Sequence, residues 1–180
     1  LSLRRQRQMC IRDRDIINYF QKREKEIIGF LKELVHLESP THDKEAVDKC
    51  SNFYLNKLRK LGMETSKIAQ SEVGDFGIAK FKGKSEEKIL VLLHLDTVWE
   101  IGKIKEMPFR IEKDKIFGPG VLDMKAGATM SYFALLALKD LGLKSRKTII
   151  VFCNSEEETG SHHSEKYIID FARKSKYVLC

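Results

Sequence analysis

Across residues 15–37 the apolar side chains Ile16, Ile17, Phe20, Ile27, Phe30, Leu31, Leu34 and Val35 return at intervals of three and four, the spacing of one helical face. The pair Ser39-Pro40 stops it, because the residue before a proline is pushed out of helical geometry. A second helix is predicted over 44–61, with Val47, Phe53, Leu55, Leu58 and Leu61 inward and Gly62 as its stop. Short strands are predicted near 64–68 and 77–81. Two continuous apolar runs, KILVLL at 88–93 and TIIVFC at 148–153, have the composition of strands buried on both faces. Between them the pattern predicts a long irregular connection and then a helix over 125–141. Its inward residues would be Met130, Phe133, Ala134, Leu136, Ala137 and Leu138, with Gly142 past the end. A further helix is expected over 161–173 and a last strand from Tyr177. Strands alternating with helices predict an α/β fold of three layers, α/β/α, around a largely parallel central sheet.

The chain of 180 residues, 42% hydrophobic and 33% charged, is long enough for one globular core. No uninterrupted apolar run approaches the roughly 18 residues of a membrane span, so none is expected. The formal charge of +7 invites a nucleic-acid partner, but residues 1–14 hold five Arg against one Asp. Without them, 28 basic residues face 25 acidic ones, so a nucleic-acid reading rests on those 14 residues alone and no nucleic-acid partner is expected. That opening stretch, LSLRRQRQMCIRDR, shows no clear helical or strand period and no signal-peptide core. It resembles adaptor readthrough and is expected to be a non-native tail, 15–180 being the domain. The final strand ends with no turn, cap or polar tail, the pattern expected of a truncated reading frame. Four scattered cysteines (10, 50, 153 and 180) make neither a zinc ribbon nor a disulfide framework, so a reducing cytoplasm is the default.

Functional groups in open α/β sheets gather at the carboxyl ends of strands. Three polar clusters occupy such places. His94-Leu95-Asp96-Thr97 follows KILVLL; if the strand continues, His94 and Asp96 share a face, and the acid either steadies the imidazole or approaches the same ion. A buried, hydrogen-bonded histidine beside a turn-capping aspartate explains the pair equally well. In FGPGVLDMKAG (117–127) the glycines permit close backbone approach, while Asp123 either caps the next helix or binds a cation. Lys125 is read as solvated or paired with a carboxylate. Three successive acids in NSEEETGS (154–161), set at the mouth of a buried strand, repel one another unless their pKa values rise or a cation compensates. One histidine with several carboxylates is a donor set suited to zinc, with cobalt or manganese also accommodated.

HLDTV (94–98), GPGVLDMKAG (118–127) and NSEEETGS (154–161), with Pro108-Phe109 between the first two, resemble the motifs of the M20 family of di-zinc metallopeptidases. The likeness is strongest to its glutamate carboxypeptidase-like and aminoacylase-like members and covers nearly all of 15–180. The resemblance implies His94 as a ligand of one zinc, Asp123 as the bridge between both, Glu158 as a ligand of the other and Glu157 as general base. Asp96 would orient His94; Glu156 inherits no catalytic role. It also implies a cis peptide after Asp123.

The implied reaction is hydrolysis of an amide in a small peptide or N-acyl amino acid bearing a free carboxylate, carried out with two Zn2+, or with Co2+ or Mn2+. The rivals are a biosynthetic deacylase of the acetylornithine or succinyl-diaminopimelate type and a non-catalytic relative used for binding. In the family a further acidic ligand and a late histidine lie beyond the position of Cys180, and an inserted domain makes a homodimer. The 180 residues alone are therefore expected to be inactive or nearly so. His36, His42, His162 and His163 are read as surface or helix-end residues, Trp99 as packing and Cys153 as core. His94, Asp123 and Glu158 are expected to converge within about 10 Å.

Overall fold

The computed structural model describes residues 3–180, with side chains from Asp13 onward. Helix α1 (Leu3–Lys22) precedes α2 (Glu24–His36) and α3 (Lys44–Lys60), followed by strands β1 (Glu64–Ile68), β2 (Phe76–Phe81) and β3 (Ser85–His94). Then come the short α4 (Lys103–Glu106), the hairpin β4 (Arg110–Glu112) and β5 (Lys115–Phe117), a wide turn Val121–Lys125 and α5 (Ala126–Asp140). Strand β6 (Lys147–Asn154), a single tight turn Glu157–Thr159, α6 (Glu165–Arg173) and β7 (Tyr177–Leu179) complete the chain.

The main sheet has the order β1-β2-β6-β3-β7. β3 pairs in parallel with β6 and β7, while β2 runs antiparallel to both β1 and β6. The sheet is therefore mixed, and the expectation of a largely parallel one holds only for its β6-β3-β7 half. A short hairpin-like return from β1 to β2 needs no crossover helix, which is why the first two strands reverse.

Side-chain alternation along β6 divides the interior in two. Ile149, Val151 and Cys153 join Leu34, Cys50, Tyr54, Leu58 and Phe133 from α2, α3 and α5. Ile150 and Phe152 join Phe76 and Leu90, covered by Tyr167, Ile168 and Phe171 of α6. These are the three expected layers. Phe30 locks α2 to α5, stacked on Tyr132 (4.5 Å between centroids) and edge-on to Phe133 (5.7 Å). Asp43 caps α3 by accepting from Ala46 N at 3.0 Å.

Several expectations need correction. The helix expected over 15–37 is broken at Arg23, whose guanidinium reaches Asp140 at 2.7 Å. Upstream, the backbone is helical from Leu3, so the lack of periodicity in 1–14 did not mean a lack of helix; Arg, Gln and Met favour helix without any apolar stripe. The start of the segment, residues 1 and 2, lies outside the described residues. The connection after β3 is not wholly irregular, since it holds α4 and the β4-β5 hairpin. Helix α6 begins at Glu165 rather than at 161.

On α5, Met130 and Ala134 face outward, and Ala128, Phe133, Leu135 and Ala137 are the buried positions. This helix is apolar all round, so periodicity cannot choose its inward face. For the same reason the stretch Val121–Asp140, with mean hydropathy 1.3, is long and apolar enough by composition to cross a membrane, against expectation. A third of its residues are buried inside the fold, where α5 packs on the sheet and on α2.

Candidate metal centre

The central strands β3 and β6 run in register with His94 opposite Asn154, and Leu95 N donates onward to Asn154 O at 3.1 Å. Residues 94–97 and 154–158 therefore leave the sheet at one edge. The turn Val121–Lys125 reaches the same place before α5. Gly120 takes φ +67 at its start, and Asp123 and Met124 depart from helical geometry (φ −115, ψ 102 and φ −129, ψ 35). The Asp123–Met124 peptide is cis.

His94 is buried at the end of β3, although the strand does not continue to Asp96 as the alternation argument supposed. Its Nε2 lies 2.9 Å from Asp123 Oδ1 and 3.8 Å from Glu157 Oε2. Its Nδ1 lies 3.4 Å from Asp96 Oδ1 and 3.2 Å from the Asp96 carbonyl. Asp96 is wholly buried; its Oδ2 accepts from Thr41 Oγ1 at 2.8 Å and from Glu158 N at 3.2 Å. One ligand atom from each of His94, Asp123 and Glu158 lies within 4.8 Å of the others. Asp123 and Glu157 are exposed to the cleft and Glu158 is half-buried. Asp123 makes no helix cap, so of its two readings the contact with His94 is the one seen.

Charge explains the electrostatics. Burial alone would lower the imidazole's pKa, but the carboxylates of Asp96, Asp123 and Glu157 reverse this and lift it to about 9. Burial pushes the Asp96 carboxyl up, yet the adjacent His94 imidazole and the hydrogen bond from Thr41 hold it below its ordinary value. Glu158 is pushed up, by burial first and then by the like charge of Asp123. Carboxylates and an imidazole thus share a small space, and the donor set of one nitrogen and several oxygens fits a divalent cation.

Sequence reasoning missed three residues that build this edge. Lys125 is not solvated: it is 1% exposed and its Nζ donates to Leu37 O at 2.8 Å. Burial pushes its amine pKa down. Glu156, given no role, is 1% exposed and its Oε1 accepts from both His163 N and Ser164 N at 2.7 Å. Thr41 was not singled out. Only the buried partners reveal these roles, and those of Lys125 and Thr41 come from distant parts of the chain.

The other residues sit elsewhere. His36 Nδ1 meets Lys32 O within its helix, His42 approaches Glu100 at 3.3 Å and His163 approaches Glu72 at 4.0 Å. The Cys153 side chain is core, and Cys50, Cys153 and Cys180 are free thiols. A cleft of about 490 Å³ opens beside the cluster, lined by His94, Asp123, Met124, Met130, Glu157 and Ile168 among others.

The structure is thus a sandwiched α/β domain with a histidine and acidic side chains, a donor set that fits a divalent cation, gathered at the strand ends. The model of Peptidase family M20/M25/M40 matches residues 90–180, and the chain belongs to that family. It is 37% identical over 155 residues to Carboxypeptidase G2 of Pseudomonas sp. (strain RS-16), a match covering 85% of this chain and 37% of that protein. The chain thus spans well under half the length of this relative. The structure of human carnosine dipeptidase 1 superposes with a TM-score of 0.76 at 17% identity, over 89% of this chain and 39% of that one. An M20 family metallo-carboxypeptidase, Sso-CP2 from Sulfolobus solfataricus, gives 0.70 at 23% identity, over 86% of this chain and 37% of that one. Both likenesses concern the fold.

Proposed function

We propose that residues 15–180 form the N-terminal part of the catalytic domain of a zinc-dependent exopeptidase acting on small peptides or N-acyl amino acids. The observation that carries this reading is the convergence of His94, Asp123 and Glu158 within 4.8 Å, from three separate stretches of the chain. The family membership and the carboxypeptidase and dipeptidase names of the relatives support amide hydrolysis.

In this reading His94 Nε2 would hold one cation and the Glu158 carboxylate a second, with the Asp123 carboxylate, close to both, shared between them. A divalent cation bound there polarises a carbonyl and lowers the pKa of water. Asp96 holds the proton on His94 Nδ1, which leaves the Nε2 lone pair free to face the cleft. Glu157 Oε2, exposed and 3.8 Å from His94 Nε2, takes the proton of the attacking water and passes it to the leaving nitrogen.

The test is to load a longer protein carrying this chain with zinc and assay it on C-terminal glutamyl peptides and on N-acyl amino acids. Cleavage of the first favours a carboxypeptidase, and cleavage of the second a deacylase. Failure to bind zinc and to split either substrate would defeat the reading.

A further inference from the structure

Five residues between α2 and α3, positions 37–41, touch both halves of the cluster. On one side Thr41 Oγ1 donates to Asp96 Oδ2 at 2.8 Å and Ser39 Oγ donates to Leu95 O at 2.6 Å. Backbone bonds between Thr97 N and Ser39 O (2.8 Å) and between Thr41 N and Thr97 O (3.2 Å) add a short ladder to the same loop. On the other side Lys125 Nζ donates to Leu37 O at 2.8 Å, and Lys125 N donates to Gly120 O at 3.0 Å. Lys125 belongs to the turn that carries Asp123. The carboxylate of Glu38 accepts from Gly102 N and Ile104 N, which ties the same segment to the connection after β3.

Packing alone does not call for these groups. A methionine would fill the space of Lys125 without desolvating an ammonium, and a valine that of Thr41. What the two polar side chains add is direction: each fixes one point of the strap to one element bearing a carboxylate of the cluster. We infer that residues 37–41 are a positioning strap that sets the distance between the His94-Asp96 pair and Asp123, with Thr41 and Lys125 as its positioning residues. The inference rests on the metal-centre reading above.

The strap is tested in a longer protein that carries this chain, with Thr41→Val, Lys125→Met and Thr41→Ser, by titration with Co2+ followed in visible absorption and by thermal unfolding of the metal-free proteins. Thr41→Val and Lys125→Met are expected to bind Co2+ about tenfold to a hundredfold more weakly, with a changed absorption band, and Thr41→Ser to return toward the parent affinity. A residue that merely caps α2 or fills the core would move the unfolding temperature and leave affinity and band alone. Parent-like affinity and absorption in both Thr41→Val and Lys125→Met would overturn the strap. If Lys125→Met does not fold, the near-isosteric Thr41→Val decides the matter alone. A parent chain that takes up no Co2+ defeats the metal-centre reading, and the strap falls with it; that result differs from a parent that binds and variants that bind equally well.

Discussion

Asp96 Oδ1 faces His94 Nδ1 at 3.4 Å inside the fold, and among the described residues no hydrogen bond satisfies that oxygen. A fully buried carboxylate oxygen with one cationic neighbour makes the charge on the imidazole the main compensation for its burial. The second carboxylate, Asp123, faces the opposite ring nitrogen. In the metal-free chain the imidazolium thus bridges two acids, and a proton at Nε2 occupies the direction in which a cation would bind.

The pH dependence follows from this relationship. The His94 pKa, lifted to about 9, means the protonated ring stabilises the fold fully below its ordinary value near 6.5, a contribution lost as pH rises through about 9. Metal uptake must expel that proton, so affinity is expected to climb roughly tenfold per pH unit and to level off above about 9. Asp96→Asn removes the largest upward influence on the ring and should move the levelling point to lower pH. Proton NMR of the His94 ring, together with Co2+ titrations from about pH 6 to about pH 10, checks both statements. An unchanged ring titration in Asp96→Asn would refute them.

Adjacent acids should behave differently. Glu158 belongs to the triad that meets within 4.8 Å, whereas Glu157 approaches His94 Nε2 only at 3.8 Å and stands in the cleft. Glu158→Gln is expected to weaken Co2+ binding more than tenfold and Glu157→Gln to change it less than about threefold. In a longer, active protein Glu157→Gln should lower the hydrolytic rate by about a hundredfold to ten thousandfold. Equal effects of the two substitutions on Co2+ affinity would mean that the roles are wrongly divided.

The elements of this cluster differ in how readable they are. His94 and Asn154 end continuous apolar runs, so the edge where chemistry gathers is visible from composition alone. The motif resemblance then picked out the same acids that the structure brings together. Lys125, Thr41 and Glu156 were invisible for a different reason: a buried polar residue is recognised only by its partner. Those of Lys125 and Thr41 lie 88 and 55 positions away. The break at Arg23 has no glycine or proline to announce it; there the side chain pairs with Asp140, a partner 117 positions away. Met130 was misplaced because α5 offers apolar side chains in every direction.

Two glycine substitutions should have opposite signs. Gly120 takes φ +67, and a Cβ there would meet Thr97 Cγ2 at 2.7 Å, directly beneath the turn that presents Asp123. Gly120→Ala is therefore expected to destabilise the fold by about 1 to 3 kcal/mol and to weaken Co2+ binding as well. Gly29 lies inside α2 with nothing within 4 Å of its would-be Cβ, so Gly29→Ala should stabilise by roughly 0.5 to 1 kcal/mol and leave metal uptake alone. Urea unfolding of both variants measures the difference, and a neutral Gly120→Ala would show that the turn tolerates more movement than its geometry implies.

Glu156 provides the remaining test, because its neighbours Glu157 and Glu158 carry the proposed chemistry and its own contacts are structural. Its buried Oε1 accepts from His163 N and Ser164 N, the first amides of the approach to α6, where Ser164 makes no side-chain cap of its own. A carboxylate at a helix N-terminus also gains from the helix dipole. Glu156→Ala leaves two amides without their acceptor, at a cost of about 1 to 3 kcal/mol for each that stays dry. Since Glu157 and Glu158 form the turn that follows directly, that loss should loosen them too, and Co2+ affinity should fall together with the unfolding temperature. Glu156→Gln keeps a carbonyl oxygen for the amides and should recover most of the stability. If Glu156→Ala unfolds at the parent temperature, water satisfies the α6 terminus and the residue is not the anchor that its burial indicates.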